Sequence, residues 1–154
     1  MSRAFVKESD GEEGAELPEL QLSPHRNLVT ATGLRQIEET VDALQSALST
    51  ARAAEDRPGI ARIQRDLRYW NERQRTAELV PVLPATGAAR FGSIVTLEKA
   101  DGARVEYRIV GEDEADPAKG RISYVSPIAR KLLGAAAGDA VTLADGIAAI
   151  VGIR

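Results

Sequence analysis

Apolar positions between residues 30 and 80 recur with the spacing of a coiled coil. In a first series they are separated alternately by three and four positions: Leu34, Ile37, Val41, Leu44, Leu48 and Ala51. After a break the same spacing continues in a second series, in which Gln74 is the one polar residue: Ile60, Ile63, Leu67, Trp70, Gln74 and Ala77. An a/d repeat of this kind predicts two amphipathic helices, each with one narrow apolar seam.

The break between the two series predicts a reversal of the chain. Pro58 lacks a backbone N–H, and a residue that precedes proline is disfavoured in helical geometry. Thr30 or Thr32 is suited to cap the first helix. We therefore expect an antiparallel helical hairpin over residues 28–80, with arms of about 20 residues that project about 30 Å.

From residue 91 onward the pattern changes to the alternation typical of strands. Two Asp-Gly pairs, at 101–102 and 145–146, are strong signals for two-residue hairpin turns. Ser126 followed by Pro127 predicts the start of a short helix. Strands are expected at 93–97, 105–110, 122–125, 140–143 and 147–151. The fold class is therefore α+β: a helical hairpin followed by a twisted antiparallel sheet with one short helix.

Composition divides the remainder of the chain. Residues 1–27 are rich in acids, glycine and proline, and predict a flexible acidic tail. Residues 81–90, with two prolines and a glycine, predict a linker to the domain at 91–154. The bulk of the tail is expected to be solvated, although an acidic tail can also compete for a basic surface.

Charge and composition exclude several functions. The 154 residues carry a net charge of −3, contain no cysteine and have a single histidine, His25 in the tail. Thiolate chemistry and multi-histidine metal sites are therefore excluded, and so is a Ser/His/Asp triad of any credibility. No apolar run is long enough for a membrane span, and the N-terminus does not resemble a signal peptide, so a cytoplasmic location is expected. Nothing in the sequence points to an enzyme that acts alone.

Trp70 and the charged groups of the hairpin favour structural roles. Trp70 lies on the seam and is expected to pack against the first helix. Seven arginines lie in the second helix and just before it: Arg52, Arg57, Arg62, Arg65, Arg68, Arg73 and Arg75. They are expected to form a solvated face with ion pairs to Glu55, Asp66 and Glu72. The alternative is a basic stripe that contacts nucleic acid. The acidic run 112–116 is expected to be an exposed connection between strands.

Two acids at the expected tip are the candidate chemistry. Glu55 and Asp56 lie at the point of the hairpin farthest from the C-terminal domain. Carboxylates are hard oxygen ligands suited to Mg²⁺, and a rigid arm could deliver them into the cleft of another protein. The alternative is that acids occupy these positions because polar residues favour turns.

From Phe91 onward, one ordered set of motifs resembles a known family. The motifs are Phe91-Gly92, Tyr107-Arg108-Ile109-Val110-Gly111, Asp113-Glu114-Ala115-Asp116, Ser126-Pro127-Ile128-Ala129-Arg130, Leu132-Leu133-Gly134 and Gly138-Asp139. They are similar to the C-terminal domain of the bacterial transcript-cleavage factors GreA and GreB. The resemblance is weaker in the hairpin.

That resemblance implies a function exerted on RNA polymerase. An FKBP-like domain would bind the rim of the secondary channel through Ser126, Pro127, Ile128 and Arg130. Glu55 and Asp56 would assist the Mg²⁺ of the polymerase, so the chain would need no cofactor of its own. Nucleic acid would be met only within the transcription complex, and a monomer is expected.

The sequence also departs from the family, which leaves alternatives. The tip reads Ala54-Glu55-Asp56-Arg57-Pro58-Gly59, and the hairpin is shorter by two to three turns per arm, about 10–15 Å. The leading interpretation is a Gre-like elongation factor that binds RNA polymerase at the secondary channel and modulates elongation, with stimulated cleavage of backtracked RNA as one way it could act. A secondary-channel inhibitor without cleavage activity, similar to regulators of nucleoside diphosphate kinase, is the alternative. An FKBP-like prolyl isomerase is disfavoured by the 4% aromatic content, and dimerisation through the heptads by the internal hairpin.

Overall fold

A computed structural model describes residues 17–84 and 86–154. The elements follow in the order β1 Leu28–Val29, α1 Ala31–Ala53, α2 Arg57–Thr76, β2 Glu78–Leu79, β3 Ile94–Lys99, β4 Arg104–Val110, β5 Arg121–Ser123, α3 Pro127–Leu132, β6 Ala140–Leu143 and β7 Gly146–Ile153. A 3-10 turn, Pro117–Lys119, precedes β5. The α+β class and the helical hairpin are confirmed.

Both long helices begin at residues whose side chains cap them. The Oγ1 of Thr30 accepts a hydrogen bond from the backbone N–H of Gly33 at 3.0 Å at the start of α1. The Oδ1 of Asp56 accepts from the N–H of Gly59 at 3.1 Å at the start of α2. Each cap satisfies one of the backbone donors that a helix leaves unpaired in its first turn. Pro58 lies in that first turn of α2, where its missing N–H costs little.

The heptad seam forms the interface between α1 and α2. Ile37, Val41 and Ala51 of α1 are buried, as are Ile63 and Leu67 of α2. Four further seam residues pack with partial burial against Val41, Ala51, Ile63 and Leu67: Leu44, Leu48, Ile60 and Trp70. The packing expected of Trp70 is thereby confirmed.

The last turn of α2 departs from the predicted seam. Gln74 is exposed, so its assignment to the seam was wrong, whereas the neighbouring Arg73 is only 3% exposed. The reason is that this turn no longer faces α1 alone, because the C-terminal domain packs against it through Asp113. Arg73 is therefore not part of a solvated arginine face.

The C-terminal domain is built on a five-stranded mixed sheet. Its strand order is β5-β4-β3-β7-β6. The expected antiparallel arrangement holds for β3 with β4, β3 with β7 and β6 with β7, but β5 runs parallel to β4. Two parallel strands begin at the same edge of the sheet, so the chain must return from the end of β4 to that edge before β5 starts. The long connection 111–120 makes this return, which a tight turn could not do. The core lies between the central strands and α3. The strands contribute Val95, Leu97, Ile109 and Ile150, and α3 contributes Ala129 and Leu132.

Two short strands close the base of the hairpin. β1 and β2 pair in parallel, with Leu28 beside Glu78 and Val29 beside Leu79. Two-residue strands carry no periodic signal, so the sequence did not predict them. No helix in the described part of the chain is long and apolar enough to cross a membrane.

The structure describes only part of the segments that flank the two predicted domains. Residues 17–27 are irregular but make defined contacts, whereas residues 1–16 lie outside the described residues, so the flexibility predicted for the tail stays a prediction. In the predicted linker, residues 81–84 are exposed, but Ala89 is buried and Ala88 forms a bridge with Ala136. The packed part of the C-terminal domain therefore begins slightly before residue 91.

Candidate functional site

The hairpin tip places Glu55 in a conformation that glycine usually adopts. α1 ends with two backbone bonds: the Glu55 N–H donates to the Arg52 carbonyl at 3.1 Å, and the Asp56 N–H donates to the Ala51 carbonyl at 2.9 Å. This pattern is a Schellman motif, which requires a left-handed residue just after the helix. Glu55 fills that position with a φ of 54°. Its side chain is exposed and has no bonded partner within residues 17–84 and 86–154.

Asp56, the second tip acid, has a structural task. Its carboxylate caps α2 and lies so close to Gly59 that a Cβ there would meet Oδ2 at 2.1 Å. A larger residue at position 59 would therefore displace the carboxylate from its capping position. The two predicted tip residues thus lie together, but Glu55 alone presents an uncommitted carboxylate to solvent.

The tip contributes two carboxylates, those of Glu55 and Asp56. In the described part of the chain, no group of three or more potential ligand side chains forms a metal site. A single exposed carboxylate fits the role of one added ligand to an ion that another molecule holds, because Mg²⁺ commonly uses one or two carboxylates and fills its other positions differently.

The predicted docking segment lies at the start of α3. Ser126 accepts a hydrogen bond from the Ala129 N–H at 3.3 Å and so caps this helix. Pro127 and Arg130 are exposed, while Ile128 is half-buried against the core. Of the four predicted residues, Pro127 and Arg130 are therefore the most accessible to a partner, and Ser126 and Ile128 shape the segment.

The acidic run 112–116 is not the exposed loop that its charge predicted. Asp113 receives hydrogen bonds from two residues of α2, the Tyr69 hydroxyl at 3.1 Å and the Arg73 Nε at 2.6 Å. Glu112 places Oε2 3.8 Å from the Arg73 Nη2. These acids lie against the base of the hairpin because the buried Arg73 guanidinium requires carboxylate partners.

Glu114 is buried on the other side of the same junction. It is 5% exposed, and its Oε2 accepts a hydrogen bond at 2.5 Å from the Thr30 hydroxyl, at the start of α1. Gly33 makes room for it, because a Cβ at this position would lie 2.8 Å from Oε2. At Gly111 a Cβ would lie 2.3 Å from the Leu28 carbonyl oxygen, so the chain before Glu114 also approaches the hairpin too closely for any side chain.

The segment before β1 crosses this junction. Ser23 donates to the Glu112 Oε1 at 2.9 Å, and the Asn27 Nδ2 donates to the Arg73 carbonyl at 2.7 Å. The Tyr124 hydroxyl donates to the Arg26 carbonyl. Residues 23–27 therefore bond to both the hairpin and the C-terminal domain.

Two tyrosines at the junction have raised pKa values. For Tyr69, burial is the main cause, and the nearby Asp113 charge adds to it. For Tyr124, burial again raises the pKa, with Glu112 contributing. Both shifts favour the neutral phenol, which is the form that donates the hydrogen bonds described above.

The remaining hairpin arginines largely follow the expectation of a solvated, ion-paired face. Arg65 pairs with Asp66, and Arg75 pairs with Glu72. Arg68 instead pairs with Glu19, in the segment before β1. The pair expected for Glu55 does not form, and Arg52, Arg57 and Arg62 are exposed.

The junction is the feature that reasoning from the sequence missed. Charge and spacing alone predict a solvated face for Arg73 and an exposed loop for Glu112, Asp113 and Glu114. One signal was present: an acidic run directly after Gly111, at the end of an apolar strand. Its partners lie about 40 and 84 residues away, as the separations of the Arg73 and Thr30 bonds show, so sequence spacing alone could not identify them.

Comparison with known proteins finds relatives mainly of the C-terminal domain. Residues 84–146 match the family model described as transcription elongation factor GreA/GreB, C-terminal. A GreA of Legionella pneumophila is 53% identical over 62 residues, covering 40% of this chain and 39% of its own. A GreA of Vibrio parahaemolyticus is 43% identical over 95 residues, covering 59% of each.

The comparisons with solved structures are weaker. The Gfh1 protein of Thermus thermophilus, a GreA factor homologue, is 22% identical with a TM-score of 0.41, over 84% of this chain and 99% of that one. The chain spans less than two thirds of the length of the curated relatives named above. The sequence match over residues 84–146 nevertheless includes the Ser126 segment and the acids of the junction. Residues 84–146 are thus similar to the C-terminal domain of the GreA/GreB transcription elongation factors, and the longer match to the Vibrio parahaemolyticus GreA includes 95 residues.

Proposed function

We propose that the protein is a Gre-like elongation factor that binds RNA polymerase at its secondary channel. The C-terminal domain would dock through Pro127 and Arg130, with Ser126 and Ile128 holding the shape of the segment. The match of residues 84–146 to the GreA/GreB C-terminal family is the observation that carries this proposal. The chain would act on the polymerase's own hydrolytic activity and would not be an enzyme itself; its expected location is the cytoplasm.

The hairpin would bring Glu55 to the polymerase active site. α1 has 23 residues and α2 has 20, so the arms extend about 30–35 Å. When bound in the polymerase, Mg²⁺ supplies a polarised water for phosphodiester hydrolysis. The contribution of this chain is one exposed carboxylate at the end of a rigid arm, held in place by the Schellman motif.

The two tip acids differ in their contacts, and we expect them to differ in their roles. Asp56 is engaged with the Gly59 N–H, so its charge is partly used by the start of α2. Glu55 is not so engaged, and it occupies a left-handed position where a glycine would be favoured. A carboxylate kept at a position of backbone strain supports a functional role for Glu55.

The assay is transcript cleavage by a stalled, backtracked polymerase complex, with saturating protein. We expect Glu55→Gln to slow cleavage at least about tenfold, which corresponds to about 1.4 kcal/mol of transition-state stabilisation, without changing affinity. Asp56→Asn should retain the helix cap, because asparagine caps as well as aspartate, and should reduce cleavage less. Wild-type protein that binds polymerase but leaves backtracked RNA intact over a range of Mg²⁺ concentrations rules cleavage out.

A second candidate is a secondary-channel inhibitor without cleavage activity. It is favoured by the use of Asp56 as a cap, which leaves a single available acid, and by the exposed Arg52 and Arg57 beside the tip. In this case wild type slows nucleotide addition at high concentration, and Glu55→Gln has no effect on that inhibition.

Docking is tested separately from the tip. Arg130→Glu should weaken binding to core polymerase, because it reverses an exposed charge in the docking segment. Arg104→Glu is the matched control, since Arg104 is also exposed and lies in the same domain on β4. Equal effects of the two substitutions would contradict the assignment of the docking segment.

A further inference from the structure

We propose that Arg73, Asp113, Thr30 and Glu114 form a junction latch that fixes the direction in which the hairpin projects from the C-terminal domain. The latch would be a set of positioning residues: it touches neither RNA nor metal, but it decides where the tip lies once the C-terminal domain is docked. This inference rests on the proposed function for its consequence at the polymerase, and on the contacts of the junction for its existence.

The latch contacts both arms of the hairpin. Asp113 binds Arg73 at the end of α2, and Glu114 binds Thr30 at the start of α1. Asp113 and Glu114 are neighbours in the connection 111–120 that follows β4. A single contact would leave the hairpin free to rotate about it, whereas two contacts on different helices oppose rotation.

Burial makes these contacts selective for one orientation. The Arg73 side chain is 4% exposed and that of Asp113 is 11% exposed. A buried charge that loses its partner is strongly unfavourable, because the protein interior does not replace the lost interaction with water. Any rotation that separates Arg73 from Asp113 without full exposure is therefore penalised, and the pair holds a narrow range of angles.

Steric fit adds to the same effect. A Cβ at Gly111 would lie 2.3 Å from the Leu28 carbonyl oxygen, so the backbone there fits only a glycine. A Cβ at Gly33 would lie 2.8 Å from the Glu114 Oε2, so a larger residue there would displace this carboxylate. The close backbone approach at Gly111, together with the Glu114 side chain packed on Gly33, limits tilting of the hairpin toward the loop. Ser23 and Asn27 reinforce the junction through their bonds to Glu112 and to the Arg73 carbonyl.

The covalent connection alone would not set this angle. The hairpin is joined to the C-terminal domain through residues 80–87, where residues 81–84 are exposed and irregular. Over an arm of about 30 Å, a rotation of about 10° at the base moves the tip by about 5 Å. Because misplacement of a reacting group by about 1 Å can cost about a hundredfold in rate, an elongation factor of this design needs a rigid base.

The test measures the angle directly, in the full chain and without polymerase. The chain has no cysteine, so Ala47→Cys on α1 and Ala144→Cys in the β6–β7 turn, both exposed, provide two unique sites for spin labels. Distances between them are measured by pulsed electron spin resonance. Asp113→Asn removes the charge that holds Arg73. Tyr69→Phe is milder, because it removes only one hydrogen bond to Asp113. If Asp113→Asn does not fold, Tyr69→Phe alone tests whether the latch restricts the hairpin.

The wild type should give one narrow distance distribution. Asp113→Asn and Tyr69→Phe should broaden it, in that order of size, with unchanged helix content by circular dichroism. Arg75→Gln is the matched control, because Arg75 is an exposed arginine near the same end of α2 whose partner is Glu72, and it should leave the distribution unchanged. Equal widths in wild type and both variants would overturn the latch.

The polymerase assay then tests the positioning role. The concentration of Asp113→Asn that gives half its effect should stay within about twofold of wild type, while its effect at saturation falls at least about tenfold. A broadened distribution with full activity at saturation would refute positioning. If wild type has no effect on polymerase, the proposed function fails, and the distance distributions still decide whether the latch exists.

Discussion

Glu55 shows how a single residue can oppose the preference of its own backbone. Its φ of 54° closes the Schellman motif at the end of α1, and the left-handed region costs a residue with a Cβ about 1–2 kcal/mol. We therefore expect Glu55→Gly to raise the free energy of unfolding by about 1 kcal/mol, measured by urea denaturation. Glu38→Gly in the middle of α1 is the control and should lower it by about 1 kcal/mol. Destabilisation by Glu55→Gly would show that the carboxylate, not the backbone, dominates at this site.

Asp56 makes the opposite prediction at the adjacent position. Asp56→Ala should lower the free energy of unfolding by about 1 kcal/mol, because the Gly59 N–H loses its acceptor. Asp56→Asn should change it by no more than a few tenths. Similar losses in both variants would mean that charge at the start of α2 matters more than the hydrogen bond.

Tyr69 and Tyr124 predict a loss of stability at high pH. Burial raises the pKa of each phenol above the ordinary value of about 10. Because the folded pKa exceeds the unfolded one, the contribution is complete below about pH 10 and is lost as the pH rises through the folded value. Phenolate absorbance should show these two groups titrating late, and Tyr69→Phe should remove one of them. Ionisation of both near pH 10 would contradict the buried environment.

Helix α1 contains a glycine whose effect reverses the usual propensity rule. An alanine in place of an exposed glycine would favour a helix by about 1 kcal/mol. Gly33→Ala should instead destabilise by about 1–3 kcal/mol, as overpacking typically does, because its Cβ would lie 2.8 Å from the buried Glu114 carboxylate. Thr32→Ala, one position earlier, is the control. Stabilisation by Gly33→Ala, measured by thermal unfolding, would show that the junction is loosely packed.

At the scale of elements, periodic features were predictable and close tertiary approaches were not. The seam of α1 and α2, the reversal before Pro58 and the Asp-Gly turns all follow from local rules of spacing and turn chemistry. The parallel pairing of β5 and the burial of 112–116 depend on contacts with distant residues such as Arg73. Charge alone indicated solvent exposure for these acids, but a buried arginine changes that preference.

The candidate site divides in the same way. Position along the chain was enough to place Glu55 and Asp56 together at the tip and Ser126 at the start of a helix. It could not show that Asp56 is occupied by the Gly59 N–H while Glu55 is not. That distinction depends on which residue adopts the left-handed conformation, and either acid could have done so.

For the whole molecule, the internal hairpin predicts a monomer. Both apolar seams are already buried against each other, so no second chain is needed to cover them. Sedimentation equilibrium at micromolar concentration should give a mass near 16.5 kDa. A stable dimer would indicate that the α1–α2 pairing opens and exchanges between chains.

The parallel pairing of β1 and β2 makes the hairpin an insert of adjustable length. The chain enters the hairpin at Leu28 and leaves it beside the same residue, at Glu78. The length of the arms therefore does not change the positions at which the hairpin joins the rest of the molecule. Removing seven residues from each arm would keep the heptads in phase and shorten the reach by about 10 Å. The length of the hairpin can thus be varied in steps of one heptad per arm. Shortened and lengthened versions of this one chain would measure the depth at which the tip acts.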